Sequence, residues 1–205
     1  MPTATKLSPL DVARKALAHP ISFEDFLAKL SAKDKTNVER HVVAIGENPQ
    51  HANLWKRLAC ALMTLSPHAI KVNGQQSVQF YIPDGKYRMQ VYALEDLRDG
   101  KVTIYTGNTL DEAIKAGLLH KKSAATSAGT PENGYKIHGT DDVLAIDALD
   151  GATPNPAAFY KDMLGWNRKA VRITLPTNAT NVQIEAAEMI CALSAKKWQS
   201  APSAA

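Results

Sequence analysis

The chain has 205 residues, of which 45% are hydrophobic and 21% charged, and its formal net charge is +4. This length and apolar content suffice for a sizeable globular core, which excludes a small protein that depends on disulfide or metal staples. The excess positive charge is scattered as short pairs, so it permits an anionic partner without requiring one.

Cysteine usage and hydropathy indicate a cytoplasmic protein. Cys60 and Cys191 are the two cysteines of the sequence, and each lies inside an apolar helical pattern. Free thiols are typical of a reducing compartment, so no disulfide framework is expected. The first twenty residues lack the apolar stretch of a signal peptide, and no run reaches the about 18 apolar residues of a membrane span.

The N-terminal quarter predicts three short helices. The first begins near Pro9, the second covers Phe23–Leu30 with Ser22 as its N-cap, and the third runs from Asp34 to Ile45. Short helices gain most of their stability from packing. Residues 1–48 are therefore expected to form an N-terminal helical extension that docks on the main domain.

A strong amphipathic helix and a hairpin signal follow. His51–Leu65 has an apolar stripe at helical spacing, with Trp55 beside it. His68–Val72 is compatible with a short strand. Asn73-Gly74, directly after it, is a dipeptide that favours tight hairpin turns.

The stretch from Gln76 to Tyr105 predicts a three-stranded antiparallel meander. Gln76–Ile82 and Tyr87–Leu94 alternate apolar and polar residues, and Val102–Tyr105 continues the same period. Turn signals separate the three segments at Pro83-Asp84-Gly85-Lys86 and at Asp99-Gly100. One face of this sheet is apolar and includes Val78, Val91 and Ile104, and the other carries hydrogen-bonding and aromatic residues.

The second half of the chain adds helices and strands in irregular alternation, which disfavours a doubly wound parallel sheet. The expected elements are a Thr109-capped helix over Leu110–Leu119, a surface loop over 121–134, strands Tyr135–His138, Val143–Leu149 and Ala170–Leu175, helix Ala157–Leu164, and a Thr180-capped helix to Trp198.

These elements predict an α+β fold, with an antiparallel meander sheet of about six strands packed against helices and an N-terminal helical extension. The expected organisation is the extension over residues 1–48, an α+β domain over 49–198 and a disordered tail over 199–205.

Motifs for metal, cofactor or nucleophilic chemistry are missing from the sequence. None of the six histidines forms an i, i+4 pair on a helix, and neither a phosphate-binding glycine loop nor a Gly-x-Ser-x-Gly elbow occurs. A structural zinc site needs about four convergent ligands. We therefore expect neither a metal site nor a cofactor.

The polar face of the meander is the best candidate for a binding surface. Arginine can hold a phosphate or carboxylate bidentately, and tyrosines can stack on a base or a sugar. Arg172 would extend the positive potential if its strand joined the same sheet. Two ordinary interpretations compete: a solvated polar face, or a face covered by the N-terminal helices. The candidate residues are Gln79, Tyr81, Arg88, Gln90, Tyr92 and Tyr105.

The favoured hypothesis is a non-enzymatic binding or regulatory module whose partner is an acidic protein, a nucleic acid or a small anionic ligand. The alternative is a small cytoplasmic enzyme whose Asp, Glu and His residues meet only in the fold. Its mark would be a concave pocket with an acid–base pair within hydrogen-bond reach. A third possibility is an oligomer-forming scaffold.

Overall fold

A computed structural model of the chain describes residues 7–46, 48–65, 69–72, 77–81, 88–92, 99–120, 134–149 and 170–199. The helices in this part are α1 (Pro9–Leu17), α2 (Phe23–Ala28), α3 (Ala32–Ile45), α4 (Pro49–Leu65), α5 (Leu110–Lys115) and α6 (Asn181–Gln199). The strands are β1 (Ala69–Val72), β2 (Ser77–Tyr81), β3 (Arg88–Tyr92), β4 (Lys101–Gly107), β5 (Gly134–Lys136), β6 (Val143–Leu149) and β7 (Ala170–Pro176).

The strands form one antiparallel sheet in the order β1-β2-β3-β4-β7-β6-β5, which confirms the predicted α+β class. The predicted count of about six strands was wrong, because the described residues form a sheet of seven strands. The sheet also consists of two meanders rather than one, β1-β2-β3-β4 and β5-β6-β7. They join where β4 pairs with β7, so β5 lies at the far edge. Alternation in a sequence reveals the two faces of a strand but not its neighbours.

A row of β-branched residues across six strands forms the centre of the core. Opposed residues of antiparallel strands lie on the same face, so the backbone register places these side chains next to one another. Helix α4 packs on β2, β3 and β4, and α6 packs on β4, β6 and β7. The buried residues of the row are Val72, Val78, Val91, Ile104, Ile173 and Ile146.

Serine caps begin the three N-terminal helices. Ser22 Oγ accepts a hydrogen bond from Asp25 N at 3.0 Å and donates one to the Asp25 carboxylate at 2.8 Å. Ser8 and Ser31 make the same pair of bonds to the aspartates three residues further on. These bonds satisfy amide groups that have no partner inside the helix, and they confirm the cap predicted at Ser22.

The predicted caps of the two later helices had different outcomes. Thr180 Oγ1 accepts from Gln183 N at 3.2 Å, and Gln183 Oε1 accepts from Thr180 N at 2.9 Å, which is a reciprocal capping box. Thr109 is the N-cap residue of α5, as predicted, but its side chain makes no capping hydrogen bond, because its hydroxyl donates to Ile190 O at 3.4 Å. Asn108 Oδ1 accepts from Leu110 N. A tertiary contact between β4–α5 and α6 thus replaces the local cap.

Helix α5 is shorter than the predicted Leu110–Leu119. It ends at Lys115, and Gly117 adopts a φ of +76°. Leu118 N donates to Ala113 O at 2.9 Å and Gly117 N to Ile114 O at 3.0 Å. This is the glycine-dependent termination in which the last carbonyls are satisfied by the residues beyond the helix.

Helix α3 covers the open edge of β1. Asp34 Oδ1 accepts from Val72 N at 3.0 Å, and the buried Asn37 donates through Nδ2 to Val72 O at 3.1 Å. Edge strands with unpaired backbone groups invite aggregation, and this arrangement satisfies both groups. The division at residue 48 stays a prediction, since such contacts do not show which helices fold alone.

Several predictions fall outside the described residues. They are the turns at Asn73-Gly74 and Asp84-Gly85, nearly all of the loop over 121–134, helix Ala157–Leu164 and the tail beyond Gln199. Of the helices in the described ranges, none combines the length and the hydropathy that crossing a membrane requires.

Candidate functional site

The candidate surface, here called the polar row, runs across five strands on the face opposite the core row. Because cross-strand partners share a face, the register assigns its positions to one line. Arg172 pairs with Tyr105, so β7 does join the sheet at the place where it extends the predicted surface. The polar row consists, in strand order, of Gln79, Gln90, Tyr105, Arg172 and Asp147.

The remaining predicted positions flank this row. Tyr81 lies opposite Arg88, and Tyr92 lies opposite Ser77, so their backbone positions belong to the same face by register. The side chains at Gln79, Tyr81, Arg88, Gln90 and Tyr92 lie outside the described residues. Tyr105 is the predicted binding residue whose side chain the structure describes, and it is partly buried.

Arg172 and Asp147 form an ion pair within the polar row. Arg172 Nε donates to Asp147 Oδ2 at 2.7 Å, and 45% of the Arg172 side chain is exposed, against 24% for Asp147. Burial alone would lower the pKa of the Arg172 guanidinium, but Asp147 and Tyr105 hold it above the usual value. The guanidinium is therefore permanently charged, oriented by its neighbours and still accessible to a ligand.

The face is not uniformly open. Thr103 is buried although its position belongs to this face, and at the other end Gly107, Ala170 and Leu149 are buried in one line of cross-strand partners. Of the polar-row side chains that the structure describes, Arg172 is the most exposed. Helices α1 and α2 pack on other helices, and α3 packs on β1 and α4.

A second feature, which the sequence did not predict, is a cleft between α1 and α6. It has a volume of about 460 Å³, and the turn after α5 and the β5–β6 turn complete its walls. A hollow of about 430 Å³ adjoins it and shares Leu17, Arg57 and Glu188. Mostly apolar walls with a few polar groups are typical of ligand pockets.

Arg57 is fixed at the junction of the cleft and the hollow. Its Nε and one terminal nitrogen donate to the two carboxylate oxygens of Glu188 at 2.9 and 3.0 Å, and the other terminal nitrogen donates to Asn181 Oδ1 at 3.1 Å. The hydrogen bond to Glu188 is the main cause that raises the pKa of Arg57, against the opposing effect of burial. This pair cannot exchange protons near neutral pH.

The cleft escaped prediction because its parts are far apart in the chain. Arg57 and Glu188 are 131 residues apart, and no local spacing connects them. The one local signal was Arg14 between Leu10 and Leu17 on α1, a cation beside an apolar stripe. Such a cation usually indicates only the edge of a solvated face.

The two cysteines do not offer nucleophilic chemistry. Both are free thiols in the core, as their apolar sequence contexts predict. Burial raises the pKa of Cys60 to about 11 and that of Cys191 to about 12. Because the thiolate is the nucleophile, neither residue is activated.

Two histidines that are 18 positions apart in the chain meet in the fold. The ring centroids of His120 and His138 are 4.9 Å apart, and both residues are exposed. Among the described residues there is no cluster of three or more His, Cys, Asp or Glu side chains placed to hold a metal ion.

Comparison with known proteins yields no match: no family model, no curated protein and no solved structure shows significant similarity to this chain.

Proposed function

We propose that this chain is a non-enzymatic binding protein that holds an anionic partner, a single-stranded nucleic acid, on the polar row. The observation that supports the proposal best is the register of β4 and β7, which makes Arg172, with its exposed guanidinium, the cross-strand partner of Tyr105. Proteins commonly bind single-stranded nucleic acids by combining an aromatic ring with an accessible cation.

Each part of the row has a role in this proposal. Arg172 contacts a phosphate, and Tyr105 offers its ring to a base. The flanking positions Arg88 and Tyr92 add a second cation and a second ring, as the sequence predicts. The net charge of +4 favours the encounter without supplying specificity.

Asp147 tunes this interaction. Its carboxylate already occupies one edge of the Arg172 guanidinium, at 2.7 Å from Nε, so a phosphate must bind at the remaining donors or displace it. The guanidinium has five N–H donors, which leaves room for a second acceptor. Asp147 therefore limits the affinity and holds the guanidinium in place.

The alternative function, a small enzyme, would use the cleft. The cleft has the concave form that such an enzyme requires, and Glu188 lies in it. The hydrogen-bonded partner of Glu188 is Arg57, however, and an arginine with a raised pKa cannot serve as a general acid. The Arg57–Glu188 pair therefore supports ligand binding better than proton transfer.

The affinity for fluorescein-labelled oligothymidylate, measured by anisotropy at low salt, tests the proposal. We expect Arg172→Gln to weaken binding about ten-fold and to reduce the salt dependence by about one counterion. Asp147→Asn is expected to strengthen binding, since it removes the competing carboxylate. Arg14→Gln is the matched control, because it removes the same charge from an exposed ion pair on α1.

The proposal would be wrong if Arg172→Gln and Arg14→Gln reduced the affinity equally, since binding would then follow net charge alone. A labelled polyglutamate peptide forms the second arm of the experiment. If this peptide bound more tightly than the oligonucleotide, and binding still depended on Arg172, the partner would be an acidic protein. Circular dichroism of each variant shows that the fold is retained.

A further inference from the structure

His120 and His138 are held side by side by backbone hydrogen bonds. Leu119 and Ile137 form an antiparallel bridge between the segment after α5 and the end of β5. His120 N donates to Lys136 O at 2.9 Å, and His138 N donates to Leu118 O at 3.0 Å. The two histidines are therefore diagonal neighbours across this bridge, on the same side of it.

The spacing of the two rings fits joint coordination of one metal ion. Imidazole nitrogens bind Zn²⁺ at about 2.0–2.1 Å, which puts each ring centroid about 3.2 Å from the ion. For ligand angles between a right angle and a tetrahedral angle, the centroids are then about 4.5–5.2 Å apart. The observed separation is 4.9 Å, with the ring planes inclined by 41°.

We propose that His120 and His138 form a two-histidine chelate for a divalent transition-metal ion. Imidazole suits Zn²⁺, Ni²⁺ and Cu²⁺, whereas Mg²⁺ and Ca²⁺ select oxygen ligands. Water completes the coordination sphere, so the ion exchanges with solvent and binds more weakly than in a four-ligand structural site.

The surroundings of the pair support this assignment. The nearby Lys136 donates a hydrogen bond from Nζ to Asp141 Oδ1 at 2.9 Å. This carboxylate offsets part of the electrostatic repulsion between Lys136 and a bound metal ion. The backbone of both histidines is fixed by the bridge, which lowers the ordering cost of chelation. His138 also lines the cleft, so the ion lies at the cleft rim and offers its open positions to a ligand there.

Calorimetric titration of the full chain with Zn²⁺ alone tests this site. We expect one ion per chain, and we expect His120→Ala and His138→Ala each to weaken its binding at least about ten-fold. The double variant should lose little more than either single variant, because one imidazole alone does not chelate. His19→Ala, which removes an exposed histidine from the segment after α1, is the control and should bind as tightly as the unmodified chain.

Electron paramagnetic resonance of the Cu²⁺ form supplies a second measurement. The Cu²⁺ spectrum of the unmodified protein is expected to show hyperfine coupling to two imidazole nitrogens. Each single variant should show coupling to one imidazole nitrogen. Zinc affinity that stayed within two-fold in both single variants would overturn the proposal, and so would an equal loss in His19→Ala. Both histidines are exposed, so the variants are expected to fold, and unchanged circular dichroism spectra would show that they do.

Discussion

Trp55→Ala is expected to lower the free energy of unfolding by about 3–5 kcal/mol. Trp55 is fully buried, and its ring meets Phe23 at 6.3 Å and His41 at 5.9 Å between centroids, both in edge-on geometry. One side chain on α4 thus packs against α2 and α3. Removing the indole ring leaves a cavity between α2, α3 and α4, and these helices cannot all move inward to fill it.

Chemical denaturation followed by circular dichroism measures this loss. Val43→Ala is the control, because Val43 is 77% exposed on α3 and its truncation should change stability by less than about 0.5 kcal/mol. Trp55→Phe keeps part of the volume and should fall between the two. A loss below about 1 kcal/mol for Trp55→Ala would show that α2 and α3 do not pack on α4 in this way.

Ile104→Ala should destabilise the protein by about 2–5 kcal/mol. Ile104 is fully buried at the centre of the core row, where it lies between Val91 on β3 and Ile173 on β7. The pairing of β4 with β7 is the step that the local sequence does not specify. Ile104 and Ile173 together therefore test the topology as well as the packing.

A double-mutant cycle of Ile104→Ala and Ile173→Ala measures this contact. Opposed side chains in one core should show a coupling energy of about 0.5–3 kcal/mol, whereas distant sites add within about 0.5 kcal/mol. Leu7→Ala, at a residue that is 54% exposed, is the control for truncation itself. If the stability losses of the two core substitutions were strictly additive, the pairing of β4 with β7 would be contradicted.

The faces of the strands were predictable because alternation is a local property. Val78, Val91 and Ile104 were assigned to the apolar face from their period alone, and all three are buried. Turn residues gave the order of β2, β3 and β4 in the same way. Register and neighbours in such hairpins follow from a few adjacent residues.

Longer-range features were not predictable for a physical reason. The sequence predicts that Arg172 extends the surface only if its strand joins the sheet. Its pairing with Tyr105 has no local signal, since it depends on a crossover that places β5 at the far edge and β7 beside β4. Thr109 has the sequence of an N-cap, yet its hydroxyl bonds to Ile190 on α6. Tertiary contacts of this kind override local preference and leave no local signature.

The same argument applies to the groups with chemical interest. His120 and His138 come together through the bridge between Leu119 and Ile137. The two histidines are not at helical spacing in the sequence, so no local pattern predicts that they meet. The ion pair of Arg57 and Glu188 joins α4 to α6. Sequence patterns identify sites built within one element more readily than sites assembled from several.

A nuclear magnetic resonance titration with oligothymidylate tests most directly whether the polar row is the binding surface. We expect the largest shifts at the Arg172 Nε–H signal and at the amides of Tyr105 and Thr174, while Arg14 and Arg57 stay unchanged. Shifts concentrated on α1, α4 and α6, with Arg172 unaffected, would contradict the proposed binding surface.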